Sequence, residues 1–488
     1  MSAPQKSTGP TALTADDAIA EVLAGPAGPQ IGAFFDLDGT LVEGYTANTF
    51  FADSIKRRDI APGDVARSLF SAVDGALGGD PTAIGRHGVA AMAGRPADTV
   101  MELGERLFAH KIAAAVRPQA RALVRAHQRM GHTVAVASAA TRFQIEPLAR
   151  DLGISAILCT EVEVVDGVIT GKLAGPMLWG EPKGAAVRAF AREHGVDLTA
   201  SYAYGNGDED VAFLSSVGRP RPLNPHTGLA LAARTYDWPV LTLVEPRNGG
   251  LRALAGTAAA LGGFNIGVLV GAAASLLTGD SAVGRNIGIP LACDLALALA
   301  GVKLEIVGEQ NLWAARPAVF VANHQSSLDA PLMGALLRRD FTGVAKKEAQ
   351  FDPRMAIAGL FVDPAYIDRS HPDSAKRDLA ALADRIRAGT SVVIMPEGTR
   401  SPTPNVLPFK KGAFHLAMQA GVPIVPIVIR NAGELMWRNS KLLHSGTLQI
   451  AVLDPIPTDG WTPETINEHC RQVREKFVAT LADWPEAP

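Results

Sequence analysis

The chain predicts an α/β protein built in parts: a doubly wound parallel sheet with a helical cap, then a hydrophobic helical hairpin, then a second α/β domain. Three observations predict it. Short apolar runs alternate with helical patterns over residues 30–240 and again over 306–455, the rhythm of strands joined by crossover helices. From Ala253 to Gly279 no charged residue occurs. The 488 residues also exceed what one domain usually holds.

Composition narrows the function classes. Hydrophobic residues make up 47% and charged residues 19%, and the mean hydropathy is +0.13, which points to a membrane contact. Net charge is −3 and no long Lys/Arg run occurs, so nucleic acid is not expected as a partner. Cys159, Cys293 and Cys470 lie far apart. That spacing suits a reducing cytosol and supports neither a disulfide framework nor a zinc site.

Taken in order, residues 1–29 are rich in Ala, Pro, Thr and Gly and lack a basic, then apolar, leader pattern. They read as a disordered tail. Residues 30–244 form the first domain, with strands expected at Ile31–Phe35, Thr133–Ala137, Ala156–Thr160, Ser201–Tyr204 and Val240–Val244. Helices are expected at Pro118–Met130 and Lys183–His194. Residues 46–115 lack the alternation and read as an inserted helical cap.

Residues 245–305 form a linker and two apolar stretches around the polar turn at 279–286. A membrane-crossing helix needs roughly 20 apolar residues. The first stretch is diluted by Gly and Ala; the second, Ile287–Val302, is short and carries Pro290 and Asp294. Two buried core helices or a hairpin dipping into one leaflet both fit. Residues 306–488 form the second domain, with strands expected at Ala318–Ala322, Ser391–Met395, Val425–Ile429 and Leu448–Val452. A C-terminal amphipathic helix is expected from Thr462-Pro463-Glu464 onward, with Ile466, Val473, Phe477 and Leu481 on one face.

The first reactive constellation is Phe34-Phe35-Asp36-Leu37-Asp38-Gly39-Thr40-Leu41-Val42. Carboxylates at i and i+2 leave the end of a strand on one side. One can attack phosphorus while the other protonates the leaving oxygen, and a dense carboxylate pair invites Mg²⁺. Ser138 ends an apolar run, Lys183 can neutralise a transferring phosphoryl, and Asp208 and Asp210 follow the strand ending at Tyr204. This arrangement resembles the haloacid dehalogenase superfamily, in its phosphoserine-phosphatase-like branch, over about residues 30–240. The resemblance implies Asp36 as nucleophile, Asp38 as general acid/base, Ser138 and Lys183 as phosphate ligands, and Mg²⁺ at Asp36, Asp38, Asn206 and Asp210. One departure bears on metal affinity and turnover. The family's last motif carries two aspartates four apart, and Asn206 stands in the first position here, with Asp208 two residues out of place as a substitute.

The second constellation is Asn323-His324-Gln325-Ser326-Ser327-Leu328-Asp329, after the apolar run Ala318–Val321. A lone histidine is more often structural. Here Ser326 or Ser327 can cap a helix whose first turn carries Asp329, placing a carboxylate to orient the imidazole as a general base. The histidine then deprotonates an attacking alcohol with no acyl-enzyme. Glu397 and Arg400, in Pro396-Glu397-Gly398-Thr399-Arg400-Ser401, follow another apolar run. A surface ion pair there would be worth little, whereas the end of a strand beside Gly398 suits ligand contact, and arginine suits phosphate.

With Gly359-Leu360-Phe361 leading to Ile367-Asp368-Arg369, and Val422-Pro423-Ile424-Val425-Pro426, these motifs resemble the 1-acylglycerol-3-phosphate acyltransferase family over about residues 305–435. The resemblance implies an acyl-CoA (or acyl carrier protein) donor, a lysophosphatidate acceptor and a phosphatidate product. It implies attachment to the bilayer through the apolar helical pair, with the catalytic domains on the cytoplasmic side. His324 would be the base and Asp329 its orienting acid. Arg369 and Arg400 would bind phosphate, with Lys346, Lys347 and Lys411 as lesser candidates. Glu397 would hold Arg400 or contact the acceptor, beside Gly398 and Thr399. The alternative is a Mg²⁺-dependent phosphomonoesterase whose C-terminal domain binds lipid. A third reading links the two: phosphatidate from one site is a phosphomonoester for the other.

Overall fold

The computed structural model describes residues 11–57, 80, 82–244, 250–346, 365–367 and 372–485. The chain divides into two compact units, Met1–Pro246 and Arg247–Pro488.

Of the disordered tail expected over residues 1–29, residues 1–10 lie outside the described residues, and the expectation is corrected over residues 12–24. Strand β1, Ala12–Thr14, leads into the helix Ala15–Ala24. Thr14 caps that helix: its hydroxyl accepts from Asp17 N–H while the Asp17 carboxylate accepts from Thr14 N–H. This reciprocal box satisfies two donors that a bare helix end leaves open.

The main sheet of the unit uses β2 (Gly32–Phe35), β3 (Thr133–Thr141) and β4 (Ala156–Thr160). An antiparallel hairpin follows, β5 (Val162–Val165) and β6 (Val168–Leu173). Then come β7 (Tyr202–Gly205), β8 (Arg219–Pro222) and β9 (Val240–Thr242). Five strands form one sheet in the order β4-β3-β2-β7-β8, and every pairing is parallel. Such sheets are covered on both faces, and β2 is buried at every position. Two details depart from expectation. The fifth strand is β8, while β9 pairs with β1 in a separate two-stranded sheet. The hairpin β5–β6 was not foreseen.

Among the described residues the cap carries helices at Thr46–Arg57, Ala83–Ala90 and Ala97–His110. Phe35 stacks on Tyr204 with ring centroids 4.5 Å apart and planes 6° from parallel. That contact ties the ends of β2 and β7 together, where Asp36 and Asn206 emerge.

The second unit opens with the apolar pair, Leu251–Thr278 and Ser281–Leu299. By length and composition both are able to cross a membrane. Glycines make their seam. A Cβ on Gly267 would lie 2.2 Å from Ala292 N, and one on Gly271 would lie 2.7 Å from Gly288 Cα, so the backbones touch as small-residue seams allow. The large side chains point outward instead: Leu269 is 67% exposed, Leu276 86% and Leu277 88%. The second helix docks on its own domain through Asn286 to Asp340 and Asp294 to Arg338. It ends at Leu299, because residues from Val302 belong to a strand rather than to the hairpin.

Seven strands follow: β10 (Val302–Val307), β11 (Val319–Ala322), β12 (Phe341–Lys346), β13 (Ala365–Ile367), β14 (Ser391–Ile394), β15 (Ile424–Ile429) and β16 (Gly446–Val452). Their order is β10-β16-β15-β11-β14-β12-β13, parallel except between β15 and β16. Alternation along β11 sends Phe320 and Ala322 into one core with the helix Asp329–Leu337, and Val319 and Val321 into another. The second core packs under Pro372–Arg387, Gly412–Ala420 and the C-terminal helix Ile466–Ala482. That last helix buries Ile466, Cys470, Val473 and Phe477.

Candidate active sites

In the first unit the reactive residues gather at the carboxyl ends of β3, β2 and β7, the side where parallel sheets bind ligands. Asp36 follows β2 and its N–H donates to Tyr204 O across to β7 at 2.9 Å. Gly39 turns the chain with φ +80°, and a Cβ there would lie 2.2 Å from the Asn206 amide, so only glycine fits. Lys183 is buried between two carboxylates, its Nζ 2.6 Å from Asp36 Oδ1 and 2.7 Å from Asp210 Oδ1. Burial works against the ammonium, but Asp210 and then Asp36 outweigh it and raise the Lys183 pKa. Burial raises Asp36 well above the carboxylate range, opposed by Lys183 and reinforced by Asp210. Asp38 is also raised by burial, opposed by the hydrogen bonds of Thr46, whose N–H donates to Asp38 Oδ1 at 2.7 Å. Thr46 starts the cap and was not singled out from sequence; nothing in the local pattern marks it.

Asp210 takes a role other than the expected metal ligand. One oxygen carries Lys183; the other accepts the N–H groups of Asn206 and Gly207 at 3.1 and 3.0 Å. Asp208 is no substitute, because its carboxylate accepts Leu229 N–H at the start of the helix Thr227–Thr235. Asn206 Oδ1 accepts the Thr40 hydroxyl at 3.2 Å. Ser138 is buried on β3, one strand from Asp36. Asp36 and Asp210 thus flank one ammonium in a buried place, with the charge of Asp38 near enough to raise Asp36 further. Such hard oxygen donors are of the kind that suits a divalent cation such as Mg²⁺, although among the described residues no group of three or more His, Cys, Asp or Glu is arranged to hold one.

In the second unit β11 delivers His324 and the following helix delivers Asp329. Asp329 is fully buried and its Oδ2 lies 2.7 Å from His324 Nδ1, while the imidazole is 24% exposed. An ionised carboxylate only accepts, so Nδ1 carries the proton and Nε2 keeps its lone pair. The same Oδ2 accepts Gln325 and Ser326 N–H at 2.7 and 2.9 Å. Among the described residues Asp329 Oδ1 is buried without a hydrogen-bond partner.

Glu397 differs from expectation. Its carboxylate turns inward and is 4% exposed. Oε1 accepts His324 N–H at 2.7 Å and Oε2 accepts Leu407 N–H at 2.9 Å, so it grips the histidine loop and makes no ion pair with Arg400. Burial pushes its carboxyl up to about 7, against the two N–H bonds. Gly398 makes the turn with φ +73°. Thr399 is exposed beside it. Arg400 instead donates to Ser327 Oγ, next to the histidine turn. Ser401 N–H donates to His324 O at 2.7 Å, closing the two motifs onto each other. Lys346 closes β12, with its side chain outside the described residues. Lys347, Arg369 and the Gly359-Leu360-Phe361 run lie outside them entirely. Lys411 is exposed at the start of the helix Gly412–Ala420. Val422–Pro426 is core: it enters β15, whose residues are buried beside β11.

Comparison with known proteins bears on both units. Residues 33–215 match the haloacid dehalogenase-like hydrolase family, and residues 303–430 match the acyltransferase family. An uncharacterized acyltransferase of Schizosaccharomyces pombe is 37% identical over 39% of this chain and 70% of its own length. The chain belongs to the acyltransferase family. This acyltransferase is also 35% identical to the 1-acyl-sn-glycerol-3-phosphate acyltransferase of Saccharomyces cerevisiae, over 39% of this chain and 63% of that protein. It is 34% identical to human 1-acyl-sn-glycerol-3-phosphate acyltransferase alpha, over 38% of this chain and 66% of that one. The match thus spans about two thirds of these relatives. Among solved structures, the acyltransferase PlsC of Thermotoga maritima is similar at 22% identity and TM-score 0.40, over 47% of this chain and 97% of that one. A phosphoserine phosphatase is similar at 20% identity and TM-score 0.33, over 44% and 93%. The family models thus give the acyltransferase a haloacid dehalogenase-like domain at residues 33–215, ahead in sequence of its transfer domain at 303–430.

Proposed function

We propose that the protein is a membrane-attached 1-acylglycerol-3-phosphate acyltransferase. It moves an acyl chain from acyl-CoA to lysophosphatidate and gives phosphatidate. The observation that carries this is the His324–Asp329 pair at 2.7 Å, with Nε2 unpartnered among the described residues and Arg400 donating to Ser327 beside it. The acceptor hydroxyl gives its proton to His324 Nε2 as its oxygen attacks the thioester carbon. The imidazolium, stabilised by Asp329, then returns the proton to the departing thiolate of CoA. Arg400 binds the acceptor phosphate, assisted by Arg369 and the lysines at 346 and 347. The names of the curated relatives support the acceptor class.

Attachment rests on the hairpin, whose exposed Leu269, Leu276 and Leu277 suit a bilayer better than water; the catalytic units face the cytoplasm. Incubating the full chain with labelled acyl-CoA and lysophosphatidate in vesicles tests the reading. Labelled phosphatidate is expected, and none at any acceptor concentration rejects it.

A second activity is favoured by the Asp36–Lys183–Asp210 cluster. Asp36 attacks the phosphorus of a phosphomonoester and Asp38 protonates the leaving oxygen; a water that gives its proton to Asp38 then attacks the phosphorus of the resulting acyl phosphate, freeing phosphate and Asp36, while Lys183 and Ser138 hold the phosphoryl group. Bound Mg²⁺, held by Asp36, Asp38 and the Asn206 amide oxygen, would offset the charge of that group. Phosphate release that needs Mg²⁺ and is lost in Asp36→Asn is the expected result; no release from any phosphomonoester tested, phosphatidate included, counts against it.

A further inference from the structure

We propose that Arg438 is a second phosphate-binding residue of the acyl-transfer site, paired with Arg400. Together they select an acceptor that ends in a phosphomonoester dianion. The inference rests on the acyltransferase reading and names the feature by which that site recognises its acceptor.

Three consecutive residues beyond β15, Met436-Trp437-Arg438, are each tied to a motif residue or to the residue next to one. Ser326 Oγ donates to Met436 O at 2.5 Å. Trp437 Nε1 donates to Pro402 O at 3.1 Å. Arg438 Nη1 donates to Arg400 O at 2.8 Å. The segment is therefore strapped across the histidine turn and the arginine loop together. The last bond brings the Arg438 guanidinium to Arg400, and Arg400 in turn donates to Ser327 Oγ beside His324.

Among the described residues neither guanidinium pairs with a carboxylate. Burial, then the charge of Arg400, holds the Arg438 pKa below its ordinary value. Two neighbouring guanidiniums with no anion beside them among the described residues repel in a partly dry place, and a dianion removes that cost. A phosphomonoester near neutral pH carries between about −1.5 and −2 and three free oxygens, enough for two arginine forks. A phosphodiester headgroup offers one charge and two free oxygens. Arg438 is thus the group that separates lysophosphatidate from lysophospholipids with substituted phosphates.

The test is steady-state acylation by the full chain with two acceptors, lysophosphatidate and lysophosphatidylglycerol. Wild type, Arg438→Gln and Arg438→Lys are compared, with a thermal melt of each to register folding. Glutamine keeps a donor for the Arg400 carbonyl and removes the charge. Arg438→Gln is expected to raise the KM for lysophosphatidate about tenfold or more, the loss of a charge-assisted hydrogen bond. Its kcat and its KM for acyl-CoA should stay within about twofold, and the preference for lysophosphatidate should fall by the same factor. Arg438→Lys is expected to recover part of the loss. Unchanged KM in Arg438→Gln, or a fall in kcat equal for both acceptors, overturns the proposal. A wild-type protein that acylates neither acceptor overturns instead the reading on which it rests, before any variant is compared.

Discussion

Asp329 holds His324 by one oxygen: Oδ2 lies 2.7 Å from Nδ1 and also gathers the N–H groups of Gln325 and Ser326. The carboxylate thus sets both the tautomer of the base and the shape of the turn that carries it. Asp329→Asn would lose the negative charge in either orientation and in one of them would set an amide N–H against the Nδ1–H donor. Acyl transfer is expected to fall about 10²–10⁴-fold, the usual contribution of a positioned base. The KM for acyl-CoA should change little. Initial rates at saturating acyl-CoA check this.

Glu397 acts through the backbone. Replacing it with Gln leaves one acceptor for two N–H groups and sets an amide N–H against the other. The expected cost is about 1–3 kcal/mol for a buried unsatisfied group, seen as a lower melting temperature together with a lower kcat. A variant that melts like wild type and raises only the acceptor KM would make Glu397 a substrate contact.

Lys183 separates two buried carboxylates. Lys183→Met leaves Asp36 and Asp210 facing each other without a cation, and about 3–5 kcal/mol of stability should be lost. The double variant Lys183→Met with Asp36→Asn should regain part of it, because one of the opposed charges is gone. Urea titrations of the three proteins test this.

A directional chain of hydrogen bonds fixes the N-terminal segment. His132 Nε2 meets Pro26 O at 2.9 Å, the two Nδ1 atoms of His132 and His127 meet at 2.8 Å, and His127 Nε2 meets Tyr204 OH at 2.8 Å. His132 must donate to the carbonyl, so its Nδ1 accepts from His127, and His127 Nε2 accepts from Tyr204. Burial, helped by His132, lowers the His127 pKa from 6.5 to about 3. The folded value is below the unfolded one, so this contribution is complete above pH 6.5 and is lost as pH falls toward 3. Its slope is up to about 1.4 kcal/mol per pH unit. Amide exchange in the helix Ala15–Ala24, corrected for intrinsic rates, should quicken from pH 6.5 to 4.5 in wild type. It should do so much less in His127→Phe.

The strand ends were legible in the sequence because parallel strands buried on both faces read as short apolar runs, and the reactive residues sit just past them. Thus Asp36, Ser138, His324 and Glu397 were all singled out. The helix at Ala15 was missed because its cap, Thr14 with Asp17, is hidden in an Ala- and Pro-rich stretch. Strand β8 was missed because Arg219-Pro220-Arg221-Pro222 looks unlike a strand; an edge position tolerates its prolines. The inward turn of Glu397 depends on the His324 N–H arriving from 73 residues away, and Lys183 meeting Asp210 depends on two separate elements. Such meetings are tertiary and leave no local pattern.

The hairpin sets a membrane test. Leu269, Leu276 and Leu277 are outward-facing, so wild type should stay with membranes through alkaline carbonate washing. Changing all three to Ser should release it, since each exposed leucine adds about 1.5–3 kcal/mol of burial in lipid. Release of wild type by the wash would mean the helices are not inserted.

The central claim is that His324 drives acyl transfer to a lysophosphatidate hydroxyl. Free CoA thiol should be followed for the purified full chain with acyl-CoA, with and without lysophosphatidate, in wild type and His324→Ala. CoA release is expected only when lysophosphatidate is present and is expected to vanish in His324→Ala. Acceptor-independent release, or an unchanged rate in His324→Ala, would contradict it.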